Sequence, residues 1–139
     1  MQIKIKNNLV EQSIGLLFNL ELKGKQSRHR TKFIKRLNAH LTETKEAHEQ
    51  LLKDHSNLDK EGNPIIVDDK YDIKDFDAFN KDYKELYEEE FIVDSPVDDE
   101  MLKTVKDVLL NCEVEFSGVQ ATIYDDLCDI FESTEGGEA

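Results

Sequence analysis

The sequence opens with a short alternating pattern that gives way to a helical one. Ile3 and Ile5 alternate with polar residues, which is the period of a half-buried strand. A wide apolar stripe follows, with Asn8 as a possible N-cap, an expected end near Leu22 and Gly24 just beyond it. The pattern therefore predicts a strand followed directly by a helix.

A longer helical pattern starts at Ser27 and continues without glycine or proline to about Asn57. Its stripe alternates spacings of three and four and comprises Ile34, Leu37, Leu41, Thr44, His48, Leu51, His55 and Leu58. The first half is strongly apolar, whereas the second half is diluted by Thr44 and two histidines, so we expect tighter packing near the start. About thirty helical residues span roughly 45 Å, which exceeds the width of a compact domain of this size. Part of the helix should therefore project as an arm.

The partner helix of this arm is predicted before Phe91. Its stripe comprises Phe76, Phe79, Tyr83, Leu86 and Tyr87. Between the two helices, turn residues flank the apolar run from Ile65 to Val67, which indicates a loop holding a small hairpin. The antiparallel arm is thus expected to cover about 27–91.

The C-terminal third combines short apolar runs with two further helices. The runs Phe91–Val93 and Val114–Phe116 predict strands, and Ser95 with Pro96 is typical of a helix start. That helix should bury Val97 among its apolar residues and end near Asn111, and a last helix is predicted from about 120 to 132.

These elements predict an α+β fold that is mostly helical. We expect a small sheet from the N-terminal strand and the two later runs, together with a long antiparallel helical hairpin arm. The chain should form a single domain over 1–132, followed by a flexible acidic tail over 133–139.

Charge is distributed unevenly along the chain. The whole chain has 18 Lys and Arg against 31 Asp and Glu, a net charge of −13. Residues 1–42 hold nine basic and two acidic residues, a net charge of +7, whereas residues 43–139 hold nine basic and 29 acidic residues, a net charge of −20. Surfaces of one sign attract partners of the opposite sign before contact. Two interpretations stay open: the charges form recognition surfaces, or the basic part folds against acidic helices of the same molecule.

Residues 23–36, which we term the basic segment, contain no acid. Its cations are Lys23, Lys25, Arg28, Arg30, Lys32, Lys35 and Arg36. A helix start within this segment would favour an anion such as phosphate. Phe33 is its one aromatic residue and belongs to the buried stripe, and the net charge of the molecule opposes a polyanion. Direct nucleic-acid binding is therefore disfavoured and is kept as a second alternative.

The acidic residues offer a larger recognition surface. The candidates for contact with a partner are Glu85, Glu88, Glu89, Asp98, Asp99, Asp125, Asp126 and Asp129. For Asp98 and Asp99 a plainer role is also open, because acids in a first helical turn complement the helix dipole.

Catalytic and metal-binding patterns are weak. His48 and His55 stand about 10.5 Å apart along a helix, too far to share an ion whose bonds to nitrogen are about 2 Å. Cys112 and Cys128 have no histidine near them in sequence and are too few for a disulfide framework, which favours a reducing cytoplasm. No apolar stretch approaches the roughly 18 residues of a membrane helix. We therefore predict no catalytic residue, no cofactor, no metal ligand and no membrane partner.

Three stretches carry a family resemblance: LELKGKQSRHRTKFIKR over 20–36, GNPIIVDD in the middle and EFSGVQATIYDDLCDIFE from Glu115. Together they resemble an uncharacterised family of small proteins from tailed phages and prophages of Gram-positive bacteria. The resemblance covers nearly the whole chain. It implies a phage or prophage origin and supplies no catalytic assignment.

These observations predict a non-enzymatic phage-encoded protein that binds a host or phage protein in the host bacterial cytoplasm. One version is an inhibitor of a host nucleic-acid-handling or defence enzyme that acts through its acidic surface. The alternative is a virion or assembly component whose helical arm mediates homo-oligomerisation.

Overall fold

The computed structural model describes the backbone of residues 1–137 and the side chains of residues 1–133. In chain order its elements are β1 Ile3–Lys6, α1 Asn7–Phe18, α2 Gly24–Asp54, β2 Ile66–Val67, β3 Lys70–Tyr71, α3 Phe76–Glu88, β4 Glu90–Val93, a 3₁₀ turn at Pro96–Asp98, α4 Asp99–Leu110 and α5 Gly118–Gly137. The predicted α+β, mostly helical fold is confirmed. Helix α5 continues past residue 132, where the pattern ended it, and positions 138 and 139 of the predicted tail lie outside the described residues.

β1 and β4 form an antiparallel pair in which Ile3 is opposite Val93 and Ile5 is opposite Phe91. The isoleucines of β1 are buried and its lysines are exposed, as the alternating pattern predicts. The third predicted strand, Val114–Phe116, is wrong, because the described backbone forms no strand over these residues. The ring of Phe116 instead stacks on an α5 ring, with 4.9 Å between centroids.

We term the β1/β4 sheet, helices α1, α4 and α5 and the first half of α2 the body, and its core lies between these elements. Its fully buried side chains include Leu17, Phe33, Leu37, Leu102, Leu109, Leu127 and Phe131. Phe33 of α2 meets Phe131 of α5 edge to face, with 5.8 Å between ring centroids. The buried face of α2 around Phe33 and Leu37 therefore packs against apolar side chains.

Two predicted helix starts, those of α1 and α2, differ in the structure. α1 begins at Asn7, directly after the strand, and Asn8 is not its cap. α2 begins at Gly24 rather than Ser27, and Gly24 has φ of +61°, which glycine adopts without a Cβ clash. The start predicted at Ser95 and Pro96 is confirmed, although a 3₁₀ turn precedes α4 there.

α2 and α3 pack along each other and are joined through the β2–β3 hairpin, as the sequence predicts for the arm. Packing loosens with distance from the body. Leu37 is fully buried, whereas Leu58 is 57 % exposed. The prediction that Phe76 belongs to the buried stripe is wrong, because its side chain is 63 % exposed.

Candidate functional site

Several cations of the basic segment form ion pairs with acidic residues of the same chain. The Nη2 atom of Arg36 lies 3.0 Å from Oδ1 of Asp98, and Nζ of Lys32 lies 4.0 Å from the same oxygen. Lys25 forms an ion pair with Glu100, and its hydrogen bond to the Glu100 carboxyl lowers the pKa of that carboxyl. For these three cations the interpretation of internal neutralisation holds.

Arg30 supports the end of α1. Its Nη1 atom donates hydrogen bonds to the carbonyl oxygens of Leu17 at 2.7 Å and Leu20 at 2.8 Å. The last carbonyls of a helix lack intrahelical partners, and a cation there also complements the negative end of the helix dipole. No pattern in the sequence indicated this contact, because it joins residues on two helices. Arg30 is therefore a structural residue.

Three cations of the basic segment stay free of such contacts. Lys23, Arg28 and Lys35 are exposed, and the described side chains form no ion pair with them. Phe33 is fully buried, as predicted, and cannot stack on a base. The positive surface is thus smaller than the sequence suggests.

The predicted acidic contacts fall into two groups. Asp98 is withdrawn from the candidate contacts, because it is only 5 % exposed and faces Arg36. Asp98 is the last residue of the 3₁₀ turn before α4, and its carboxylate faces α2 rather than solvent. Asp99 is part-buried and accepts a hydrogen bond of 2.9 Å from the α-amino group of Met1.

The remaining acids face solvent, and the fold brings several of them to the outer side of the sheet. A groove of about 360 Å³ beside β1 is lined by acids of β4 and α5, namely Glu90, Asp126 and Asp129. Lys4 and Lys6 also line this groove, yet the described side chains include no ion pair to either lysine. We term the following residues the acidic surface: Glu85, Glu88, Glu89, Glu90, Asp125, Asp126 and Asp129.

His48 and His55 pack against α3. Nδ1 of His48 lies 3.0 Å from the hydroxyl oxygen of Tyr87, and Nε2 of His55 donates to Asp82 at 2.7 Å. The ring of Phe79 lies between them, 6.4 Å from the His48 ring and 5.8 Å from the His55 ring. These contacts form the seam between α2 and α3.

A polar node that the sequence did not reveal joins the arm to the body. The Nδ2 atom of buried Asn7 donates to the carbonyl oxygen of Leu86 at 2.8 Å, and its Oδ1 atom accepts from Nε2 of His40 at 2.5 Å. The His40 ring stacks on Phe91 with 4.2 Å between centroids. Burial lowers the pKa of His40. The node therefore connects α1, α2, α3 and β4 around the His40 ring.

The groups that could react are poorly activated. Burial raises the pKa of the Cys128 thiol and raises the pKa of Tyr124 to about 12. A thiol with a raised pKa is mostly protonated and is a weak nucleophile. Within residues 1–133, no three histidine, cysteine or acidic side chains are placed to hold a metal ion. The described helices also include none that is both long and apolar enough to cross a membrane.

Comparison of the chain with family models, with curated proteins and with solved structures finds no match. The resemblance to phage and prophage proteins therefore stays a prediction.

Proposed function

We propose that this chain is a non-enzymatic binding protein whose acidic surface contacts a basic site on a host or phage protein. One observation carries the proposal: four of the seven cations of the basic segment are engaged by Asp98, Glu100 or the end of α1, whereas the acidic surface faces solvent. An exposed surface with an excess of negative charge accelerates association with a basic partner.

The favoured partner is an enzyme that handles nucleic acid. Such enzymes line their grooves with lysine and arginine, which bind phosphate oxygens. Carboxylates arranged on a protein surface can occupy the same cations and exclude the nucleic acid. In this proposal the protein is phage-encoded and acts as an inhibitor in the host bacterial cytoplasm.

Affinity purification from infected host cells over a salt series tests the proposal. The unmodified chain is compared with D125N/D126N/D129N, and the control is E46Q/E61Q/D68N, which removes the same charge from exposed positions on the arm. We expect one protein to be retained at low salt and released as salt rises, because the screening length falls from about 10 Å at 0.1 M to about 3 Å at 1 M.

The acidic-surface variant should lose this protein and the control should keep it. Equal loss from both variants, or no salt-sensitive partner at all, would contradict the proposal.

A second candidate function is assembly through the arm, and the apolar tip of the arm favours it. Four side chains there are more than half exposed: Leu58, Ile66, Val67 and Phe76. If the tip mediates homo-oligomerisation, light scattering after size exclusion should show an oligomer that Ile66→Glu converts to a monomer. A monomeric unmodified chain would end this candidate.

The nucleic-acid alternative rests on the three free cations. It is tested with single-stranded DNA and RNA probes at low salt, using the R28E/K35E variant. Arg30 and Arg36 are left intact, because both make structural contacts. If the unmodified chain binds neither probe, the alternative is excluded.

A further inference from the structure

A second groove lies apart from the acidic surface and shares no lining residue with it. It measures about 1050 Å³ and runs between the α1–α2 connection and the C-terminal end of α4. Its floor includes Leu20 and Val108, which are 6 % and 7 % exposed. Its exposed carboxylates are Glu21, Asp107 and Glu113, and neither lysine nor arginine lines it. The groove therefore combines an apolar floor with a rim of negative charge.

The chain beside this groove has backbone groups without partners. The N–H of Cys112 donates to the carbonyl oxygen of Leu109 at 3.4 Å, and the described structure contains no backbone hydrogen bond from residues 113–116. These residues include Val114, whose side chain is 53 % exposed. The segment is fixed at its far end, where Phe116 stacks on Tyr124. Its unpaired N–H and C=O groups thus belong to a positioned segment rather than to a free terminus.

The strand predicted from the sequence within this segment does not form in the structure. The run Val114–Phe116 predicts a strand, yet the part of the chain that the structure describes supplies no strand to pair with it. Unpaired backbone of strand-forming residues is a template for a strand from another chain. A strand added here would place alternate side chains toward the groove, since successive side chains of a strand point to opposite faces.

We propose that this groove binds an extended, basic segment of a partner protein, which pairs as an added strand with residues 113–116. Apolar side chains of the segment pack on the partly exposed Leu22 of the lining, and its lysine or arginine side chains meet the carboxylates of the rim. The occupant is expected to be basic by charge complementarity, because the lining of the groove has three carboxylates and no lysine or arginine. This site goes beyond the proposed function, which requires neither this groove nor this segment.

The test uses a fluorescein-labelled synthetic peptide of alternating lysine and isoleucine as the probe, with affinity measured by fluorescence anisotropy. Amide chemical shifts of the full chain locate the binding and should change at residues 113–116 and along the groove. Neutralising the rim with E21Q/D107N/E113Q should weaken binding about tenfold, because three exposed charge contacts contribute modestly each. The matched control E46Q/E61Q/D68N removes the same charge from exposed positions on the arm and should leave the affinity unchanged.

A backbone test separates strand pairing from charge attraction. The same peptide with alternate backbone nitrogens methylated keeps its charges but lacks half of its donors, so its binding should be much weaker. Equal binding of the methylated peptide, or equal weakening by both neutralised variants, would overturn the proposal. Self-association of the chain that is lost in E21Q/D107N/E113Q would also overturn it, because the occupant would then be a second copy.

Discussion

The body and the arm share one helix but are held together by different forces. In the body, α2 contributes Phe33 and Leu37, and both are fully buried among apolar side chains. In the arm, the same helix contributes His48, and His55 follows its last residue; both contact aromatic rings and polar groups of α3. Burial of apolar area is non-directional, whereas hydrogen bonds and ring contacts depend on geometry and leave the seam partly exposed. The arm should therefore open at a lower free energy than the body.

The largest effect on the free energy of unfolding is expected from truncating a buried side chain of the body. Leu37→Ala should lower the free energy of unfolding by about 2–5 kcal/mol, because it removes a fully buried side chain and leaves a cavity. Leu58→Ala, on the same stripe of the sequence but 57 % exposed, should change it by about 0.5 kcal/mol or less. Urea unfolding followed by circular dichroism measures both. Equal losses would mean that the distal arm is as firmly packed as the body.

The next largest effect on stability is expected from removing the Arg30 side chain at the end of α1. Arg30→Ala should cost about 1–3 kcal/mol, since it leaves two part-buried carbonyl oxygens without their charged donor. Arg28→Ala removes the same charge and side chain from an exposed position and should change stability by about 0.5 kcal/mol or less. The same unfolding experiment compares them, and similar values for the two variants would refute the structural role of Arg30.

A smaller, local effect is expected in the arm. Tyr87→Phe deletes the hydroxyl that lies 3.0 Å from His48 and should lower the opening free energy of the arm by about 1 kcal/mol. Tyr83→Phe is the control, because its ring is retained and the structure gives its hydroxyl no hydrogen bond. Amide hydrogen exchange should show faster exchange along the arm in Tyr87→Phe and unchanged exchange in the body. If the body exchanges faster as well, the two regions unfold as one unit.

The smallest effect is expected from pH. The pKa of His40 is lowered in the folded state, so the unfolded chain takes up a proton first as the pH falls. The contribution of His40 to stability is fully present above about pH 6.5 and is lost as the pH falls from there through the lowered folded value. Unfolding at a series of pH values should show this slope, and His40→Gln should flatten it. An unchanged slope in His40→Gln would assign the pH dependence to other groups.

The arm could be predicted from the sequence because its two stripes are long and periodic. The same holds for β1 and β4, whose alternation indicates one buried face. Periodicity does not show how much of an apolar stripe is buried. The pattern therefore places Val97 in the core, whereas its side chain is 75 % exposed. Nor can it tell whether a strand-forming run will find a neighbour, as Val114 and the residues after it show.

The polar contacts that join distant segments could not be predicted. Asn7 bonds to His40 and to Leu86, which lie 33 and 79 residues away. Arg30 and Asp98 are similar cases, because each carries an ordinary surface charge in the sequence and acquires its role only when another helix packs against it. Local patterns predict elements, whereas these partners follow from tertiary packing.

The continuity of α2 constrains where insertions and deletions can be tolerated. Its 31 residues pass from the body into the arm without interruption. One inserted residue between Leu37 and His48 would turn the distal half by about 100° and direct the histidine seam away from α3. The turn at 59–63 lies beyond both helices, so a change in chain length there leaves the helical phase of α2 unchanged and should be tolerated better than one within α2.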